Sequence, residues 1–328
     1  MQIEDRKALR AAAAESLQAQ QTRSRQIVRI YAGVTAALNL VCIGLILLLD
    51  QQAGRTTGLS GMARQTTLQS LEYVLSFLPG IFTLFWDMGY LYAMLRIGRG
   101  EPAAQENLTE GFRRFWPVLR LNLLRSLLYT AVCLVCLYGL AILLSFTPLA
   151  WPLYSLLPSN PSDASEVLSP AVLQALLPME CILGVGVVTV FALVAYPLRM
   201  SNYLLLDHTR EGARAAMRGS RALMQGNKAA LLKLDLSFWW YYVLQVLAAG
   251  LMNLPDLLSF GGVTLPLSDT AATVVCGAAG LLCSCGLTLL AGNRVAGTYV
   301  QFYRELEQAA PVRQAKPEPE QKNQPWNY

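Results

Sequence analysis

Residues 28–49 read VRIYAGVTAALNLVCIGLILLL, and residues 50–65, which follow, read DQQAGRTTGLSGMARQ. As a helix the first stretch is about 33 Å long at ~1.5 Å per residue, enough to cross a bilayer core of ~30 Å. Before it lie Arg6, Lys7, Arg10, Arg23 and Arg25; after it come only Arg55 and Arg64. The same alternation recurs along the chain. Five further apolar stretches, near residues 68–95, 118–144, 180–198, 236–254 and 270–291, alternate with polar connections, and basic residues occupy every second connection. Of 26 Lys and Arg residues, only Arg55 and Arg64 fall on one side of this arrangement; the others lie on the opposite side or near its edge. That is the positive-inside bias of a multi-pass membrane protein with both termini in the cytoplasm. The sequence therefore predicts an all-α polytopic membrane protein, a bundle of six transmembrane helices with cytoplasmic amphipathic helices. Residues 1–27 form a cytoplasmic amphipathic segment, 28–303 the membrane domain and 304–328 a largely disordered cytoplasmic tail.

Composition agrees. With 54% hydrophobic and 14% charged residues, and a mean hydropathy of +0.38, the chain is too apolar for an ordinary soluble domain, in which about a quarter of residues are charged. A net charge of +5 would suit nucleic acid. Topology already accounts for the basic residues, however, and no basic run is interleaved with base-stacking aromatics. Membrane lipids are the expected partners, with a membrane-protein partner or a second copy, and no nucleic acid. All seven cysteines lie in or beside apolar stretches. Cys133-x-x-Cys136 has zinc-like spacing but no second ligand pair, so both read as small apolar residues, and no metal or cofactor is expected.

Local signals mark the connections. The apolar run of residues 28–49 begins too late for a secretion signal. Pro79-Gly80 predicts a kink in the second span. Asn107-Leu-Thr-Glu110 has the spacing of a capping box, starting a short helix with Phe112, Phe115 and Trp116 on its apolar side. Ser169-Pro170 predicts a short outer helix over Ala171–Leu177, closed by Pro178. Arg210, Arg214, Arg218 and Arg221 recur at helical spacing on one stripe, with Ala213, Ala216, Met217, Ser220 and Met224 on its neighbour. Gly226-Asn227 stops that helix, and Asn227 is placed to cap the next. Trp239 to Tyr242 read as an interfacial aromatic belt. Gly280-x-x-x-Ser284 and Gly33-x-x-x-Ala37 would let neighbouring helices approach closely.

Ser220-Arg-Ala-Leu-Met-Gln-Gly226-Asn227-Lys228, followed by Leu234-Asp235-Leu-Ser237-Phe238, resembles a bacterial integral membrane family known as domain of unknown function 975. Arg99-Gly100-Glu101, Leu108 with Gly111-Phe112, Tyr203 with Asp207, and Phe302-Tyr303 match its pattern in the same order, so the resemblance covers most of Leu9 to Tyr303. His208-Thr209 stands where the family tends to have Asn-Pro, and Ala229 replaces an aromatic. The proline-rich segment before residue 180 reads as an insertion. The resemblance implies a multi-pass protein of the bacterial cytoplasmic membrane, and it transfers no catalytic residue.

Within the spans, Asp87 is the one deep carboxylate. It lies nine residues before Arg96, about 13 Å from the cytoplasmic edge. An unpaired charge there costs at least ~2.5 kcal/mol. Arg125 enters the third span from the same side to a matching depth. The two residues read either as an ion or proton site or as a buried structural pair; a neutral Asp87 bonded to another helix is the third possibility. Asp235 sits at the boundary, either locked to an arginine of the 210–221 helix or solvated. Together with Arg221, Gly226, Asn227 and Lys228 it makes the interfacial motif. The arginine stripe suits either anionic headgroups, at about 1 kcal/mol per residue, or a cytoplasmic partner. His208 is the only histidine and lies on the cytoplasmic side, and no phosphate loop or dinucleotide fingerprint is present. The sequence thus predicts no enzyme and no catalytic residues. It predicts a non-enzymatic organising or accessory membrane protein, with a small-solute or ion carrier built on Asp87 and Arg125 as the alternative.

Overall fold

The computed structural model describes residues 6–53, 59–147, 170–207, 212–255, 258 and 269–309, and every regular element among them is helical. In chain order these are α1 (Arg6–Ala19), α2 (Gln21–Ala53), α3 (Leu59–Gly98), a 3-10 turn (Gln105–Thr109) running into α4 (Glu110–Arg113), α5 (Phe115–Ser145) and α6 (Pro170–Leu198). Then follow α7 (Ser201–Asp207), α8 (Ala213–Leu223), α9 (Lys228–Ser237), α10 (Trp239–Met252), α11 (Asp269–Leu287), a π-helical turn (Thr288–Gly292) and α12 (Asn293–Ala309). The chain divides into two compact units: Met1–Phe115 with Ala229–Tyr328, and Trp116–Lys228. His208, Thr209, Arg210, Arg55, the prolines between 148 and 161, and residues 310–328 lie outside the described residues.

Among the described residues, five stretches are long and apolar enough to cross a membrane: Gln21–Leu49, Thr66–Gly98, Phe115–Ser145, Cys181–Asp207 and Ala271–Ala309. The stretch expected over 236–254 is different. Its helix, α10, has 14 residues, about 21 Å and so shorter than a bilayer core. The cause is local. Phe238 leaves the helical region (φ −111°, ψ 18°) and separates α9 from α10. The Ser237 carbonyl freed by the break is taken by Arg10 Nη2 at 2.7 Å, and the Arg10 guanidinium lies 4.5 Å from the Phe238 ring centre. Pro178 also departs from expectation. Instead of closing a separate outer helix, it lies inside α6, which runs from Pro170 to Leu198 without interruption. One lost ladder bond costs less than opening the backbone of an apolar segment. Helix α3 likewise continues through Pro79.

In the first unit the densest packing lies at the basic end. Helix α1 turns Leu9, Ala13 and Leu17, spaced at i, i+4 and i+8, into the interior along α12. Tyr299, Val300, Phe302, Tyr303 and Leu306 of α12 are buried there, and Leu17 packs over Gly297. Helix α12 therefore continues six residues into the segment 304–328 and carries core side chains as it does so. At its basic end α3 stops through Gly100, with φ 76°. The Gly100 amide donates to Ile97 O and the Glu101 amide to Arg96 O, each at 3.0 Å, a closure that favours glycine. Arg304 Nη1 and Gln301 Nε2 both donate to the Gly98 carbonyl.

The connection after α3 folds back on that helix. A Cβ at Gly111 would overlap the Phe85 carbonyl, and one at Gly89 would overlap the Leu108 carbonyl. Phe112 meets Phe82, Phe85 and Trp86, and Phe115 stacks on Phe85 at 4.7 Å. This docking replaces the expected capping box. Asn107 and Thr109 make no cap, Asn107 Nδ2 is buried without a partner, and Glu110 instead bonds Arg114 at 2.8 Å.

The apolar stretches themselves are thinly covered. At most 29% of an 18-residue apolar window in any one is buried, and Val41, Phe77, Val135, Val185 and Val246 are all exposed, as befits side chains solvated by lipid tails. Where spans do touch, small residues allow it. A Cβ on Gly280 would stand 2.6 Å from the Ala248 carbonyl oxygen, so α10 and α11 meet at the expected Gly280-x-x-x-Ser284. Gly33 has nothing within 4 Å of such a Cβ, although Cys285 of α11 comes to the carbonyl of the adjacent Ala32.

In the second unit α8 docks through Ala213, Ala216 and Ser220, whose hydroxyl donates to the Pro197 carbonyl at 2.7 Å. Arg214, Arg218 and Arg221 are exposed. The helix ends at Leu223; Gly226 takes φ 79°, and Asn227 Nδ2 donates back to Leu223 O at 3.1 Å, so its amide closes α8.

Two substitution pairs test this packing in thermal unfolding of the detergent-purified chain. Gly111→Ala and Gly280→Ala should each lower stability by about 1–3 kcal/mol, because a methyl group must displace backbone. Gly33→Ala should leave it unchanged or raise it by up to about 1 kcal/mol, the helix-propensity gain in open space. Equal behaviour of all three would contradict the described helix contacts.

Candidate functional site

Asp87 occupies a polar ladder built by α2, α3 and α12. The Tyr31 hydroxyl of α2 donates to Asp87 Oδ1 at 2.6 Å, and Trp86 Nε1 donates to the Tyr31 carbonyl at 3.2 Å. The Tyr31 ring stacks on Tyr90, centres 4.5 Å apart. One turn further toward the basic end, the Tyr90 hydroxyl donates to Asn293 Oδ1 at 2.9 Å. Asn293 Nδ2 in turn reaches the Ser24 hydroxyl at 3.0 Å and its carbonyl at 3.2 Å. Asp87 nevertheless stays exposed. A carboxyl at this depth has one strong tyrosine donor and remains reachable from outside the protein.

Asn293 directly follows the π-helical turn Thr288–Gly292, a widening of the kind that often marks functional positions. The turn belongs to a second ladder between α10 and α11. Ser284 Oγ donates to Gln245 Oε1 at 2.7 Å, while Gln245 Nε2 lies 3.3 Å from the Tyr241 hydroxyl and 3.4 Å from Thr288 Oγ1. Thr288 Oγ1 donates to the Ser284 carbonyl at 2.9 Å.

Arg125 is placed by α5 in the second unit, and its partners are there too. Nη1 donates to Asn202 Oδ1 at 2.6 Å, and the guanidinium lies 5.7 Å from the ring centre of Tyr129. Asp87 belongs to the first unit, so each residue of the expected pair is held by groups of its own unit. Asp235 accepts a hydrogen bond from the Tyr299 hydroxyl, which also shares a 2.6 Å bond with the Tyr242 hydroxyl. Its Tyr299 donor belongs to α12, an element of its own unit. Lys233, two residues away, accepts at its carbonyl from Arg6 at 3.2 Å. Around Asp235 the N-terminal helix, α9, α10 and α12 are tied into one knot.

The described residues contain no group of three His, Cys, Asp or Glu side chains converged to hold a metal ion. Tyr31, Tyr90, Asn293, Gln245 and Tyr299 were missed from the sequence. Their signal was available: each is a neutral hydrogen-bonding side chain in or beside an apolar stretch, a class that seeks a partner on another helix. Attention to charge alone passes over them. Chemically the two ladders and the Asp235 knot join helices, and of the two carboxylates in them Asp87 is the exposed one.

A family model described as a protein of unknown function, DUF975, matches residues 1–260, from α1 through α10. No curated protein and no solved structure matches the chain. The matched part includes Tyr31, Asp87, Arg125, Gly226 and Asp235, and it covers well over half of the 328 residues. The chain belongs to the DUF975 family of proteins of unknown function.

Proposed function

We propose that this chain is a non-enzymatic, multi-pass protein of the bacterial cytoplasmic membrane that organises or assists other membrane components. Its partners are membrane lipids and a second membrane protein or a second copy of itself. The observation that carries this reading is where the packing sits. Of the large, fully buried side chains of the first unit, Leu9, Ile27, Met94, Leu95, Ile97, Leu108, Phe302 and Tyr303 gather toward the basic end, and Phe85 lies deeper along α3. Such a distribution suits a rigid platform carried by lipid-exposed helices. The exposed Arg214, Arg218 and Arg221 face of α8 supplies a surface for anionic headgroups, at about 1 kcal/mol per residue.

Parity supports six crossings. The packing of α1 against α12 supports placing both on one side of the membrane, and with it an even number of passages. Five long apolar stretches leave one passage for α10, extended toward the basic end by α9. The positive-inside bias supports the cytoplasm for that shared side.

One observation favours a second reading, a small-solute or ion carrier. Asp87 is exposed at half depth, held by a 2.6 Å bond from Tyr31.

The two readings separate in one experiment. In cells lacking the chain, membrane complexes resolved by native electrophoresis should change in size or amount. The wild-type chain and Asp87→Asn should restore them, whereas Leu9→Asp with Leu17→Asp, which opens the seam between α1 and α12, should not. Unchanged complexes, with solute or proton uptake lost specifically in Asp87→Asn, would replace the organising role with the carrier.

A further inference from the structure

At the basic end the first unit contains a cavity of about 450 Å³ lined by Arg23, Gln26 and Ile27 of α2, Arg96 of α3, and residues 102–105. Its size falls within the ~300–1,000 Å³ range of small-ligand pockets. Its walls are fixed. Gln20, in the turn between α1 and α2, donates to the Glu101 carbonyl at 2.8 Å and accepts from the Ala103 amide at 3.2 Å, pinning the loop across the opening of α2. The glycine closure at Gly100 sets the other edge.

The charges in this cavity are incompletely matched. Arg96 meets Glu101 through Nε alone, at 3.0 Å, so both terminal nitrogens of its guanidinium remain available. Arg23 makes no hydrogen bond or ion pair among the described residues. Two guanidiniums and the amide side chains of Gln26 and Gln105 thus border one concave site, opposed by a single carboxylate. Guanidiniums with free terminal N–H groups match the oxygen geometry of phosphate. The level is right as well. Arg96 follows the apolar run of residues 68–95, and Arg23 lies five residues before the run of residues 28–49, where lipid phosphates stand beside a spanning helix. Ile27, Pro102, Ala103 and Ala104 give the remaining wall an apolar character suited to the glycerol and upper acyl region.

We propose that this cavity is a phosphate-binding site at the bilayer boundary, in a different unit from the α8 arginine stripe and independent of it. The ligand is a phosphate group, carried by an anionic phospholipid headgroup or free in solution. The test uses the full-length chain in nanodiscs of phosphatidylcholine alone, with 30% phosphatidylglycerol added, or with millimolar inorganic phosphate, reading thermal stability and lipid retention by native mass spectrometry. Stabilisation by phosphatidylglycerol only identifies a headgroup, and stabilisation by inorganic phosphate identifies the free ion. In either case Arg23→Gln should weaken the effect about tenfold, the loss of one charge-assisted contact. Arg23→Gln with Arg96→Gln should abolish it. Because Arg23 has no partner among the described residues, its variant tests the site without disturbing their contacts. Arg25→Gln, an exposed neighbour that does not line the cavity, should retain it. No stabilisation by either phosphate source, or equal losses in the Arg23 and Arg25 variants, would overturn the proposal.

Discussion

The seam between α1 and α12 is the constraint on which the first unit depends. Leu9, Ala13 and Leu17 are useless to an isolated N-terminal helix, which at 14 residues would be marginal in water. Laid along α12, they close a core in which Val300, Phe302 and Tyr303 are fully buried. Arg6 and Arg10 then reach the Lys233 and Ser237 carbonyls, and Gln301 and Arg304 reach Gly98. The two ends of the chain thereby bind α3, α9 and each other. Water drives this packing, since hydrophobic burial operates only where the alternative is an aqueous surface.

Within the spans that driving force is absent, because lipid tails solvate Leu as well as another helix does. The chain uses hydrogen bonds and small residues there. Tyr31 to Asp87, Tyr90 to Asn293 and Ser284 to Gln245 each join two helices through a neutral donor or acceptor, and Gly280 lets α11 approach α10. These contacts are few, which is why so many apolar side chains along the spans remain exposed. The division of labour is physical: burial holds the basic end together, and polar ladders hold register inside the membrane.

Hydropathy summed over twenty residues made the apolar stretches legible, since that sum is what decides whether a segment partitions into lipid. Gly226 as a helix stop and Gly280-x-x-x-Ser284 as a close contact were legible too, each resting on backbone geometry that few residues satisfy. Other features depended on distant partners. The break at Phe238 is matched by Arg10, more than two hundred residues earlier in the chain. The capping box at Asn107 to Glu110 lost to the docking of Gly111 on Phe85. Asp87 was visible as a deep carboxylate, but its donor Tyr31 lies 56 residues away on another helix, and no spacing rule connects them. Gly33 had the pattern of a close contact, yet a Cβ there would meet nothing within 4 Å.

The central claim is that the packed, arginine-rich end lies in the cytoplasm and that the chain returns to it an even number of times. Single cysteines at Ala222, exposed on α8, and at Ser268, in a chain whose seven native cysteines are replaced by serine, test this directly with a membrane-impermeant maleimide. Intact spheroplasts should label the Ser268→Cys chain, and the Ala222→Cys chain should react only after the membrane is opened. Labelling of Ala222→Cys from outside would contradict the account.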